Sequence, residues 1–301
     1  MIISMIPFDD NASLKLIWKY EYVLPSILFV IVDNDWFGST SFIPVLRLLD
    51  TEIEVLGLTV VVGNIWLDQM ALDALRFLEL GNLSNKISVY KGATYPFLNN
   101  PFHPSGGDPT HIVLSALPEG LPTTKLQTMN TINFLIEQIH MYSHQVSILT
   151  LGLLTNIVLA IRLNSTCARN VKEIVIQDGF LDRNLAQITG SLLQADLNSD
   201  FNILFDPEAA SIVLTADFPS FVLVGRAAMM ATVNPSYIDS ITTKINPYTK
   251  LIAKYYPRNL PMWNEATAAI LTHSNLIIDT VYALADADIA YNGPFYGTIH
   301  I

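Results

Sequence analysis

Short apolar runs recur along the chain at Ile27–Val32 (ILFVIV), Val55–Val62, Ile87–Tyr90, Val146–Leu151, Glu173–Ile176 and Phe221–Val224. They are rich in β-branched residues and nearly continuous rather than alternating. Strands covered on both faces read this way, and such strands belong to parallel sheets. Between the runs the period changes. From Trp66 to Leu80 the apolar positions Leu67, Met70, Ala71, Ala74, Leu75 and Leu78 follow helix spacing, and Gly81-Asn82 is a plausible stop. Met129–Met141 and Asp206–Ala216 read similarly. Asp206-Pro207-Glu208 is a helix start: a cap, a proline in the first turn, and an acid at the positive end of the dipole. Strands alternating with helices predict an α/β fold, a single-domain, open, mostly parallel sheet flanked by helices with a Rossmann-like core.

One run invites a different reading. Val146–Ile161 (VSILTLGLLTNIVLAI) is 16 residues long and interrupted by Gly152 and by Thr155-Asn156. A membrane-spanning helix needs about 20 apolar residues. Thr155 or Asn156 suits an N-cap, so strand, tight loop and helix is the better expectation. The first 26 residues carry Asp9, Asp10 and Glu21, with no basic start and no clear cleavage site. No signal peptide is read, which favours the cytoplasm and leaves secretion open. The expected organisation is an N-terminal extension over 1–26 and one domain over 27–301. The Pro- and Gly-dense stretch Asn99–Pro109 is either a surface connection or a flap over a site.

Composition narrows the function. Of 301 residues, 51% are hydrophobic and 14% charged, and 16 Lys and Arg against 27 Asp and Glu give a net charge of −11. Enough apolar surface is available to exclude long disorder. The deficit of positive charge argues against a nucleic-acid partner. Cys167, the single cysteine, excludes a disulfide scaffold.

In open α/β sheets ligands bind at the carboxyl ends of the strands. Acids and amides gather there: Asp33-Asn34-Asp35 after the first run, Gly63-Asn64 after the second, Thr155-Asn156 beyond Val146–Leu151, Gln177-Asp178-Gly179 after Glu173–Ile176. Asp196, Asn198, Asp200 and Asn202 follow. Each could simply cap the next helix. Together they suit a polyhydroxylated ligand, a hard cation, or both.

The segments VDND (Val32–Asp35), LGLTVVVGN (Leu56–Asn64), GLLTNIVLAIRL (Gly152–Leu163), KEIVI (Lys172–Ile176) and ADLNSDFNILFDPEAASIVL (Ala195–Leu214), in this order, carry a resemblance. The chain resembles the inosine-uridine-preferring nucleoside hydrolase family, most closely its branch common in filamentous fungi, from Ile27 nearly to the C-terminus. The resemblance implies hydrolysis of the N-glycosidic bond of a purine or pyrimidine ribonucleoside, with Ca²⁺ at the strand ends. The family's Asp-x-Asp-Pro-Gly-x-Asp-Asp keeps its first two acids as Asp33 and Asp35, its Pro-Gly falls on Trp36-Phe37, and its later acids fall on Ser39 and Thr40. By resemblance Asp35 activates water and ligates the metal, together with Asp33, Thr40, the Leu151 carbonyl and Asn264. Asn64, Asp200, Asn202, Ser39 and Trp263 are the implied substrate contacts. The family's C-terminal His-Asp falls on Trp263-Asn264, and a Gly of its Met-Gly-Gly falls on Asp178.

These departures split the expectation. Thr40 and Asn264 offer oxygen without charge, and cation affinity falls with ligand charge. Trp263 can stack on a base but cannot donate a proton as His can. One reading is a nucleoside hydrolase, with weakened activity. The other is a descendant that binds a nucleoside or sugar without turnover. The expected partner is a small nucleoside, with no membrane, and self-association stays open. Elsewhere, His140 and His144 have metal-ligand spacing but no third ligand, and a helix-end role is the preferred reading. Cys167 reads as an inert thiol.

Overall fold

The structure is a computed structural model describing residues 2–5, 28–35, 42–98, 120–179, 200–225, 228, 231–256, 261–291, 293 and 295–300. The first half of the sheet is built by β2 (Leu28–Asn34), β3 (Ile53–Val60), β4 (Val89–Lys91) and β5 (Val146–Thr150). The second half uses β6 (Glu173–Ile176), β7 (Phe221–Leu223), β1 (Ile2–Met5) and β8 (Asp279–Tyr282). Their order is β4-β3-β2-β5-β6-β7-β1-β8, and only the β1–β8 pair is antiparallel. The six apolar runs thus form the six consecutive parallel strands. Ile2–Met5, expected in an extension ahead of the domain, instead pairs with β7 and β8. Its partners lie far along the chain, so the local sequence carried no sign of the pairing. Residues 6–27 and the Asn99–Pro109 stretch lie outside the described residues.

The near-continuous hydrophobicity has the expected cause. Val30, Val32, Leu58, Val60 and Leu149 enter one core with α1 (Ile43–Leu49), α2 (Leu67–Leu80) and the helix Trp263–Thr272. Ile31, Ile148, Ile174 and Ile176 point the other way, toward α3 (Thr131–Met141), α4 (Thr155–Leu163) and the helix Pro207–Leu214. A second sheet, β9 (Asp286–Ala287) with β10 (Ile299–His300), covers the helix Pro207–Leu214. The low charge and high apolar content therefore reflect a sheet buried on both faces. Among the described residues no helix is long and apolar enough to cross a membrane.

Three helix starts share one signature. Asp206-Pro207, Asn234-Pro235 and Asn246-Pro247 each put a side-chain acceptor at the cap and proline in the first turn. At the end of α2, Asn82 rather than Gly81 takes the left-handed conformation, with φ 56°. The cap expected at Thr155 or Asn156 is not there. Leu154 precedes the helix without a side-chain cap, and both polar residues turn into the interior.

The strand order also locates the site. From β2 the chain moves outward to β3 and β4, then returns to β5 on the other side of β2 and continues to β6 and β7. The order reverses between β2 and β5, and the crevice at such a switch point is where open α/β sheets bind ligands.

Candidate active site

β2 delivers two acids to the switch point. Asp33 is fully buried, and its Oδ1 accepts hydrogen bonds from Thr59 Oγ1 on β3 and from Asn156 Nδ2 on α4 at 2.7 Å. Burial pushes its carboxyl up to about 7 against the pull of those two donors. Asp35, two residues on and equally buried, is gripped by Asn64. The Asn64 backbone N–H donates to Oδ2 at 3.0 Å, and its side-chain amide reaches Oδ1 and Oδ2 at 3.0 and 3.1 Å. Burial again raises the carboxyl to about 7, opposed by Asn64 and reinforced by the charge of Asp33. Two glycines make room for this side chain. A Cβ on Gly63 would stand 2.1 Å from Asp35 Oδ2, and one on Gly152 2.7 Å from Asp35 Cβ.

β6 delivers the opposite wall. Asp178 is fully buried beyond its end and takes one hydrogen bond, from Asn202 Nδ2 at 2.7 Å to Oδ1. Burial holds it well above the usual carboxylate range, with the charges of Asp200 and Asp35 adding to the effect. Asp200 caps the helix Phe201–Phe205, its Oδ1 accepting from the Asn202 backbone N–H at 3.0 Å. Its Oδ2 accepts the Gly179 N–H at 2.9 Å, from a backbone at φ 103° that favours glycine. Asn202 also donates to Gln177 Oε1 at 3.1 Å.

The structure therefore brings Asp33, Asp35 and Asn64 together on one side and Asp200 and Asn202 on the other. Leu151 extends β5 beside them, its N–H donating to the Asp33 carbonyl at 2.8 Å. Trp263 and Asn264 open a helix that packs on α1, β5 and β6, and both are half-buried. Ser39 and Thr40 lie outside the described residues. His140 bonds Asn164 at 3.1 Å at a helix end, and Cys167 is buried with its thiol pushed up to about 12 by desolvation.

Several contributors escaped the sequence reading. Asn156, a candidate cap as well as a strand-end amide, donates to Asp33 Oδ1 and to the Val60 carbonyl, tying α4 to β2 and β3. Thr59 lies inside the apolar run Val55–Val62 and gives no sign of its contact with Asp33, while Gln177 stands with the strand-end amides without showing its bond to Asn202. Asp178 stands among the strand-end acids and as a departure from a glycine, but its bond to Asn202 is not visible in the sequence. Strand register was the available signal for Thr59: Asp33 pairs with Thr59 on one side and Thr150 on the other.

A family model described as inosine-uridine preferring nucleoside hydrolase matches residues 30–295. The chain belongs to the inosine-uridine preferring nucleoside hydrolase family. An uncharacterized protein of Schizosaccharomyces pombe is 28% identical over 90% of this chain and 76% of its own length. Uridine nucleosidase 1 of Arabidopsis thaliana is 31% identical over 62% of this chain and 53% of its own length. Among solved structures, a plant nucleoside hydrolase superposes with a TM-score of 0.73 at 21% identity, covering 91% of this chain and 86% of that one. A purine-preferring ribonucleoside hydrolase from Gardnerella vaginalis gives 0.73 at 19% identity, covering 90% and 87%. These two likenesses establish the fold.

The donor set of this family member can be tested for a cation. Among the described residues, seven buried side-chain atoms lack a hydrogen-bond partner, and four are oxygens at these strand ends: Asp33 Oδ2, Thr150 Oγ1, Asp178 Oδ2 and Asn202 Oδ1. A buried acceptor without a donor is costly. Oxygen acceptors left over in a group suit a hard cation, which takes carboxylates and uncharged oxygens together. No group of three His, Cys, Asp or Glu side chains among the described residues forms a metal cluster. The residues fit a hard cation by chemical type, with fewer than three carboxylates supplying charge.

Proposed function

We propose that this chain hydrolyses the N-glycosidic bond of purine or pyrimidine ribonucleosides, yielding ribose and free base. The observation that carries the reading is Asp35, buried at the switch point and oriented by three hydrogen bonds from Asn64. Asp35 takes a proton from the attacking water as its oxygen bonds to C1′ of the ribose. The C1′–N bond breaks with its electron pair leaving on the base. The transition state resembles an oxocarbenium ion, so anionic and polar groups around the ribose stabilise it. Asn64, Asp200, Asn202 and Ser39 are the groups for the ribose hydroxyls. Trp263 stacks on the base and supplies no proton, so the departing base takes its proton from solvent.

The expected cation is Ca²⁺, held by Asp33, Asp35, Thr40, the Leu151 carbonyl and Asn264. When bound it polarises water and ribose hydroxyls. Release of free base from a panel of purine and pyrimidine nucleosides, with Ca²⁺ and with a chelator, tests the proposal. Release above blank from at least one nucleoside is expected. No release from any of them contradicts it. A second reading, binding without turnover, is favoured by the absence of a three-acid cluster among the described residues. It predicts a thermal shift by nucleosides or ribose in a chain that releases no base.

A further inference from the structure

We propose that Asn156, in the first turn of α4, is a positioning residue for the reaction: it pins Oδ1 of Asp33 and so fixes Oδ2 as the oxygen that Asp33 keeps unengaged. The inference rests on the proposed function for the place of Asp33 in the site.

The amide of Asn156 is spent completely. Its two N–H donors go to Asp33 Oδ1 at 2.7 Å and to the Val60 carbonyl at 3.1 Å, and its oxygen accepts the Ala93 N–H at 2.9 Å. Turning the amide over would set its carbonyl against the Asp33 carboxylate and the Val60 carbonyl, and its N–H groups against the Ala93 N–H. Three favourable contacts would become three repulsions, so one orientation is allowed. The side chain is fully buried, where no water can replace a lost partner. The chain also makes room for it. A Cβ on Gly92 would stand 2.2 Å from Asn156 Oδ1 and 2.5 Å from Nδ2. The amide therefore has no second place to go.

The arrangement is aimed at Asp33 rather than at helix or strand stability. An asparagine at this point of the chain could cap α4, yet the helix starts at Leu154 without a side-chain cap. The Val60 carbonyl already accepts the Gly92 N–H at 3.0 Å and does not need the amide. The bond to Asp33 is the shortest of the three, as suits a carboxylate acceptor. Thr59 Oγ1, beside Asp33 in the strand register, donates to the same oxygen. Asp33 Oδ1 is thus held from β3 and from α4, while Oδ2 is buried with no partner. Two donors on one oxygen fix the plane of the carboxylate two residues before Asp35. Reacting constellations need placement to within about 0.5 Å, which a rigid donor from a packed helix supplies.

Kinetics of base release and crystal structures of native protein, Asn156→Asp and Asn156→Leu test this. The first variant keeps the shape and removes the N–H donors, and the second keeps the approximate volume. With native circular dichroism, both are expected to lose about a hundredfold in kcat with KM nearly unchanged, and to show the Asp33 carboxylate displaced by about 1 Å. Native kcat in either folded variant, a loss confined to KM, or an unmoved Asp33 carboxylate overturns the proposal. If neither variant folds, Gly92→Ala, which crowds the amide from the other side, is judged by the same readouts. Unfolding of all three would assign Asn156 to stability alone and also overturn it. Absence of base release from native protein sinks the catalytic reading instead, and the position of Asp33 in the variant crystals then decides alone whether Asn156 holds it.

Discussion

Two buried aspartates, Asp206 and Asp178, look alike until their acceptors are counted. Asp206 sits at the start of the helix Pro207–Leu214, 1% exposed, with its carboxyl raised to about 6 by burial. Its Oδ2 accepts from Thr155 Oγ1 at 2.5 Å and from the Phe97 N–H at 2.8 Å, and its Oδ1 from the Ala209 N–H at 3.2 Å. Both oxygens are engaged, and the residue joins α4, the loop at Phe97 and its own helix. Asp178 is at least as buried but has one oxygen without a donor among equally unpartnered neighbours. Burial and a raised carboxyl are thus common to an acid with both oxygens engaged and to one with an oxygen left over. What separates them is acceptor capacity left over in a group. Asp73 on α2 also has a buried Oδ1 without a partner, away from any strand end.

The comparison can be broken in order of effect. Asp206→Ala strands three donors and removes a helix cap, so chemical denaturation should show a loss of roughly 3 kcal/mol. Its Ca²⁺ affinity should stay within about twofold, since its partners Thr155, Phe97 and Ala209 are not among the expected cation ligands. The opposite pattern, stable but cation-deficient, would erase the distinction. Gly152→Ala puts a methyl group into Asp35 and should cut kcat/KM about a hundredfold while circular dichroism stays native. Activity left intact would mean that the Asp35 position is not critical.

Asp73 sharpens the comparison through pH. Its carboxyl moves from 3.8 to about 7 on burial, so the folded state holds the proton longer than the unfolded chain. Stability from this group is therefore greatest near pH 4, falls as pH rises through about 7, and stays low above. Asp73→Asn should be more stable than native at pH 8, by at least about 1 kcal/mol, with the gap shrinking toward pH 4. A gap independent of pH would contradict the burial argument. The smallest effect belongs to Glu79, far from the strand ends. Its Oε1 accepts from the N–H and Oγ1 of both Thr123 and Thr124. Glu79→Ala should raise amide exchange at those two threonines and leave base release unchanged.

The strands were legible because burial on both faces writes itself as unbroken apolar runs, and the helix at Pro207 because Asp206-Pro207 is a local signal. The helices at Pro235 and Pro247 carry the same Asn-Pro signal and could have been read from it. β1 was not legible, since Ile2–Met5 acquires its meaning from β7 and β8, more than two hundred residues away. In the site, Asp33, Asp35, Asn64, Asp200 and Asn202 announced themselves as polar residues after apolar runs. Asn156 misled because the same residue type caps helices, and only the packing of α4 on β2 turns it inward. Asp178 stood out as a strand-end acid, but its pairing with Asn202 needed the fold.

The central claim is that Asp35 at the β2–β5 switch point performs the chemistry. Base release by native protein and by Asp35→Asn, compared with Ca²⁺ present and with matched melting curves, tests it most directly. The account predicts a loss of at least about a hundredfold in the variant. Equal release by the two proteins would contradict it.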